Sequence, residues 1–109
     1  MLTFKEYSER ASETAKYPMD KWDVYLPIAL SGEVGELLNK VKKVIRDDNG
    51  LITFEVRKQL LGELGDILWY TSEYAKHLGS DLEGIALDNL DKLASRSARN
   101  VIHGSGDER

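Results

Sequence analysis

The sequence predicts an all-α fold, a four-helix bundle whose two long helices pack antiparallel, and three observations carry that prediction. Apolar residues recur at three- and four-residue steps through two long stretches. Two Ser/Thr-x-x-Glu capping boxes stand where helices should open. Breakers and turn residues (Tyr17-Pro18, Asp47-Asp48-Asn49-Gly50 and Gly79) separate the periodic stretches.

Taken in order, Thr3-Phe4-Lys5-Glu6 is the first capping box and opens a helix expected to reach about Lys16, where Tyr17-Pro18 stops it. Met19 to Tyr25 reads as a connection carrying Trp22, and Pro27 suits the first turn of a second helix. That helix is expected to run to about Arg46, with Leu30, Val34, Leu37, Leu38, Val41 and Ile45 at core spacing. Leu51 to Val56 is too short and unpaired to be a convincing strand, so it reads as a loop into a third helix near Thr53 or Phe54. The third helix carries Leu60, Leu64, Ile67, Leu68, Thr71, Ala75 and Leu78 on one stripe, and Gly79 suits the residue just past its end. Ser80-Asp81-Leu82-Glu83 is the second capping box. The fourth helix should continue to about Arg96 and bury Ile85, Leu87, Leu90 and Leu93. Residues 1–97 form one domain in this reading, and 98–109 a polar, glycine-containing C-terminal tail.

Composition narrows the function classes. A net charge of -4 and a pI near 5.2 argue against a nucleic-acid binder, although Lys40, Lys42, Lys43 and Arg46, and Lys92, Arg96 and Arg99, form local basic clusters. No cysteine is present, which excludes disulfides, thiolate metal sites and cysteine nucleophiles. Neither a signal peptide nor a run of about 20 apolar residues is found, so no membrane span and a cytoplasmic location are expected.

The most informative feature is a repeat. Gly32-Glu33-Val34-Gly35-Glu36-Leu37 returns as Gly62-Glu63-Leu64-Gly65-Asp66-Ile67. Each copy places two carboxylates three residues apart, on one face of a helix. Glycine within a helix costs ~1 kcal/mol relative to alanine, so its repeated placement beside the acids is poorly explained by helix stability. Two long helices joined by a short loop bring Glu33 and Glu36 opposite Glu63 and Asp66. Four such acids repel unless a cation lies between them. All-oxygen ligands suit Mg²⁺, with Mn²⁺ as a substitute, rather than zinc or copper. Neither histidine stands three residues after a glutamate, which disfavours a di-iron carboxylate site.

At these residues the chain resembles the all-α nucleoside triphosphate pyrophosphohydrolases of the MazG type. The likeness rests on Glu-x-x-Glu, a gap of 26 residues, then Glu-x-x-Asp. It extends to Leu26-Pro27-Ile28-Ala29-Leu30, to Glu63-Leu64-Gly65-Asp66-Ile67-Leu68-Trp69-Tyr70, to Asn89-Leu90-x-Lys92-Leu93, and to Gly104-Ser105-Gly106-Asp107-x-Arg109. The resemblance implies Mg²⁺-dependent hydrolysis of an NTP or dNTP to monophosphate and pyrophosphate, in a homodimer or a homotetramer built as a dimer of dimers. It implies that Glu33, Glu36, Glu63 and Asp66 are the metal-binding, catalytic acids. It also implies that Lys92 and Arg96 contact phosphates, and that Asn89 contacts the nucleotide. The chain departs from some members at Gly32, where they carry a further acid, and at Gln59, where they carry lysine.

In this expectation Glu36 or Glu33 orients the attacking water. Trp22 stacks on the base or serves as a core or interface aromatic. Trp69 and Tyr70 adjoin Asp66, and at least one should face the core or a partner helix. Lys40 and Lys43 follow Glu36 by one and two turns as a solvated basic face. His77 reads as a surface partner of Glu73, and His103 belongs either to a frayed tail or to a segment closing over substrate from a neighbouring subunit. Two alternatives stand beside this reading. One is a hydrolase of another pyrophosphate-containing nucleotide, and the other is a non-catalytic helical dimer acting as a binding or regulatory module.

Overall fold

The computed structural model describes residues 1–100 and 102–109. Among them it contains α-helices α1 (Phe4–Ser12), α2 (Trp22–Asp47), α3 (Phe54–His77) and α4 (Leu82–Ala98), a 3-10 turn at Met19–Lys21, and no strand. None of these helices is long and apolar enough to cross a membrane.

The helix ends follow from local chemistry. Thr3 Oγ1 accepts from the Glu6 amide at 3.1 Å and Thr53 Oγ1 from the Val56 amide at 3.2 Å. Each cap satisfies one otherwise orphaned amide and is worth ~1 kcal/mol. At the far end of α3, Gly79 takes φ +80° while Ser80 N donates to Ala75 O at 2.9 Å and Gly79 N to Lys76 O at 3.1 Å. That is the paired closure a left-handed glycine permits.

Three boundaries differ from expectation. α1 stops at Ser12 rather than near Lys16, because the amides of Glu13, Thr14 and Ala15 bond three residues back and tighten the chain into a turn. α2 begins at Trp22, so Pro27 lies inside the helix rather than in its first turn. Proline lacks the amide that would bond the Asp23 carbonyl, and Asp23 is exposed, so water can take that carbonyl. At α4 the cap is Asp81 and not Ser80, with Asp81 Oδ1 accepting from the Gly84 amide at 2.7 Å.

α2 and α3 make the principal helix pair, and α1 packs on α3. Leu26, Val44, Ala75 and Leu82 are buried together with Tyr17. Polar bonds tie α1 to α3: Ser72 Oγ donates to Ser8 Oγ at 2.8 Å, and the Trp69 indole Nε1 to Ala11 O at 3.0 Å. Tyr17 OH donates to Glu73 Oε1 at 3.0 Å, and Ser12 Oγ to Glu73 Oε2 at 2.6 Å.

The expected closed bundle is only partly formed within one chain. α4 touches α1 and α3 but not α2. The radius of gyration is 16.8 Å, against about 13 Å for a compact domain of this length. Ile85, Leu87, Leu90 and Leu93, read from the sequence as buried, are exposed because α4 docks through its beginning, at Leu82. Val34, Leu38 and Ile45 on α2, Leu64 and Leu68 on α3, and Leu78 just past its end are likewise exposed rather than core.

Candidate metal centre

Glu33 and Glu36 stand one turn apart on α2, and Glu63 faces them from α3. One carboxylate oxygen from each lies within 4.8 Å of the others. The 3.6-residue helical period puts Glu33 and Glu36 on one face, and packing of α2 on α3 supplies the third acid. Glu63 is buried, Glu33 half-buried and Glu36 exposed, so the cluster opens to solvent on one side.

Two oxygens in this cluster, Glu33 Oε2 and Glu63 Oε2, are buried with no hydrogen-bond partner among the described residues. An ionised carboxylate can only accept, so such atoms call for a proton or a cation. Burial pushes the Glu33 carboxyl up to about 7, helped by its approach to Glu63 and by the charges of Asp66 and Glu36. Glu63 moves the opposite way. Lys40 Nζ lies 3.1 Å from Glu63 Oε1 and holds that carboxyl below its ordinary range despite its burial. One fixed cation therefore serves a cluster of three acids, and the all-oxygen donor set fits a hard divalent ion.

Asp66 follows Glu63 by one turn but lies outside the three-acid group, exposed at its margin. With Glu33, Thr14, Trp69 and Tyr70 it lines an open cavity of about 350 Å³. Trp69 and Tyr70 meet edge to face, their ring centroids 5.0 Å apart, and both are half-buried. An aromatic wall thus borders the acids.

The other residues singled out from the sequence are elsewhere. Trp22 stacks on His77, with ring centroids 5.0 Å apart and planes within 9°. It precedes Glu33 by eleven residues on α2, roughly 16 Å along the helix at 1.5 Å per residue. His77 is not a surface partner of Glu73: Tyr17 lies between them, its hydroxyl 2.6 Å from His77 Nε2. Asn89, Lys92 and Arg96 lie on α4, which does not reach α2 within one chain. Asn89 is exposed, whereas Lys92 and Arg96 bind Asp107. His103 is exposed, in a segment that folds back along α4. Lys40, read as solvated, is the cation of the acid cluster. Its four-residue step from Glu36 was the available signal, but its charge goes across to α3 instead.

The comparisons agree with this geometry. No solved structure gives a significant match. A relative, the Gene 37 protein of Mycobacterium phage L5, is 46% identical over 109 residues, covering 94% of this chain and 96% of the relative. The sequence profile of the MazG nucleotide pyrophosphohydrolase domain matches residues 25–101, a stretch holding all four repeat acids and the basic residues of α4. Helices alone, three converging carboxylates and that match lead to one assignment: the chain belongs to the family of MazG nucleotide pyrophosphohydrolase domains.

Proposed function

We propose that the protein hydrolyses nucleoside triphosphates, ribo- or deoxyribo-, to the monophosphate and pyrophosphate in the cytoplasm, with Mg²⁺ as the ion and Mn²⁺ as a substitute. The observation that carries this reading is the meeting of Glu33, Glu36 and Glu63 across two helices, with two buried oxygens that have no donor among the described residues. Glu33, Glu36 and Glu63 would hold the metal, with Asp66 at the margin. When bound, divalent ions neutralise the phosphate chain and polarise the attacked phosphoryl group. Glu33 or Glu36 accepts the proton of the attacking water, a role suited to a carboxyl raised toward neutrality. Lys92 and Arg96 hold phosphate oxygens of the departing pyrophosphate, and Asn89 contacts the nucleotide. The open cavity beside Trp69 and Tyr70 offers the substrate an aromatic wall next to the acids.

The reading includes self-association into a dimer or a dimer of dimers, with α2 and α3 antiparallel in each chain. Leu38, Leu64, Leu68, Leu87 and Leu90 are exposed in one chain, more apolar surface than a stable monomer normally shows. Light scattering is expected to give twice or four times 12.3 kDa. A monomeric mass at micromolar protein would refute the assembly.

The reaction is tested with a panel of NTPs, dNTPs, modified nucleotides and dinucleotides, with Mg²⁺ or Mn²⁺, assayed for both products. Equal amounts of monophosphate and pyrophosphate from one or more triphosphates are expected. Turnover confined to dinucleotides would replace the substrate class, and silence across the panel from a folded sample would overturn the activity.

A further inference from the structure

Residues 102–109 are bound to α4 through polar groups. Lys92 Nζ lies 2.8 Å from Asp107 Oδ2, and Arg96 Nη2 donates to Asp107 Oδ1 at 3.1 Å and to its main-chain oxygen at 2.8 Å. Arg99 Nη2 donates to the main-chain oxygen of Arg109 at 2.6 Å, and Arg109 Nη2 to Ile102 O at 2.9 Å. Gly106 makes the return with φ +83°, a conformation that costs other residues strain.

One carboxylate thus bridges two cations one helical turn apart, as two oxygens of a phosphate would. The fit is incomplete. Arg96 is 6% exposed, yet its Nε is buried and donates to nothing among the described residues. Asp107 engages that guanidinium through Nη2 alone, leaving idle a donor that a fork-matching anion would use.

We propose that the segment 102–109 is an internal strap, with Asp107 occupying Lys92 and Arg96 in the free protein and competing with the phosphate chain of the substrate for them. The proposal rests on the phosphate-binding role given to these two side chains above. Displacement is favourable because the strap is held by ion pairs and main-chain bonds, with Asp107 itself mostly exposed. Such contacts open at low cost. A single aspartate also offsets only one of two positive charges, whereas a triphosphate or pyrophosphate carries several negative ones. The Asp107 carboxyl is held below its ordinary range, first by Lys92 and then by Arg96, so it remains a competing anion at neutral pH.

The test titrates inorganic pyrophosphate into metal-free wild-type protein, Asp107→Asn, Asp107→Ala and Glu108→Gln by calorimetry, beside steady-state kinetics with Mg²⁺. Both Asp107 variants are expected to bind pyrophosphate about fivefold more tightly, the worth of a partly exposed ion pair. Their KM should fall by a similar factor with kcat unchanged, and Glu108→Gln should behave as wild type. Unchanged or weaker pyrophosphate binding in both Asp107 variants overturns the strap, as does no binding by any of the four proteins. Tighter pyrophosphate binding without turnover of any triphosphate would preserve the strap and remove the hydrolase reading. Turnover with unmoved affinities would do the reverse.

Discussion

Glu33→Gln is expected to lower pyrophosphate release by about a thousandfold, the several kcal/mol that an ion's charge stabilisation supplies to phosphoryl chemistry. The same substitution should stabilise the metal-free protein above neutral pH. Burial holds the Glu33 carboxyl up at about 7 in the fold, against the ordinary 4.5 of a free glutamate. Between those values the folded state binds the additional proton. The stability this group contributes is therefore complete below pH 4.5 and lost as pH rises through 7. A glutamine carries no such penalty, and its amide can donate to Glu63. With EDTA present, melting temperatures of wild type and variant should lie close together at pH 4.5 and diverge toward pH 8, the variant higher. Mg²⁺ should reverse the order by stabilising wild type alone; an ion at 100 times its dissociation constant adds ~2.7 kcal/mol. Coincident melting curves at every pH, with equal response to Mg²⁺, would dissolve the metal centre.

The cluster of three acids was legible in the sequence because its geometry is mostly local, although Asp66, read with them, lies at its margin. Glu33 and Glu36 share a face by helical period alone, and only one packing contact, α2 on α3, is needed to add Glu63. Thr3, Thr53 and Gly79 were readable for the same reason, since caps act over three or four residues. Ser80 and Asp81 are both competent caps, and sequence does not choose between neighbours; the chain uses Asp81. Pro27 misplaced the start of α2 because proline is favoured in a first turn, yet here an exposed carbonyl tolerates it farther in.

Burial was the less legible property. A stripe such as Ile85, Leu87, Leu90 and Leu93 shows that a helix face is apolar, not what covers it. In a single chain nothing described does. Contacts between residues some sixty positions apart were invisible for a different reason. Glu73, Ser12, Tyr17 and His77 are each ordinary surface residues by type, and only the docking of α1 and its connection on α3 brings them together.

That cluster carries the second large effect, on stability rather than turnover. Glu73 is 2% exposed and accepts from Ser12 Oγ and Tyr17 OH, while Lys76 Nζ lies 3.8 Å away. Burial first, and then the bond to Glu73, push the Tyr17 hydroxyl up to about 12. Glu73→Ala removes the acceptor for two hydroxyls and opens a gap where α1 meets α3. Its expected cost is about 3–5 kcal/mol, a large share of a small domain's ~5–15 kcal/mol. Glu73→Gln keeps the shape and an acceptor, and its amide can donate to Ser12, so about 1–2 kcal/mol is expected. The Gln variant should also bring the Tyr17 titration down, because the acceptor charge is gone. Glu73 follows Asp66 by seven residues on α3, roughly 10 Å along the axis. Turnover per folded molecule should therefore survive in the Gln variant. Chemical denaturation with a parallel activity assay separates the two effects. If Glu73→Ala unfolds at the wild-type midpoint, the contacts joining α1 to α3 do not stabilise the fold; if folded Glu73→Gln is inactive, the cluster belongs to the reaction centre as well.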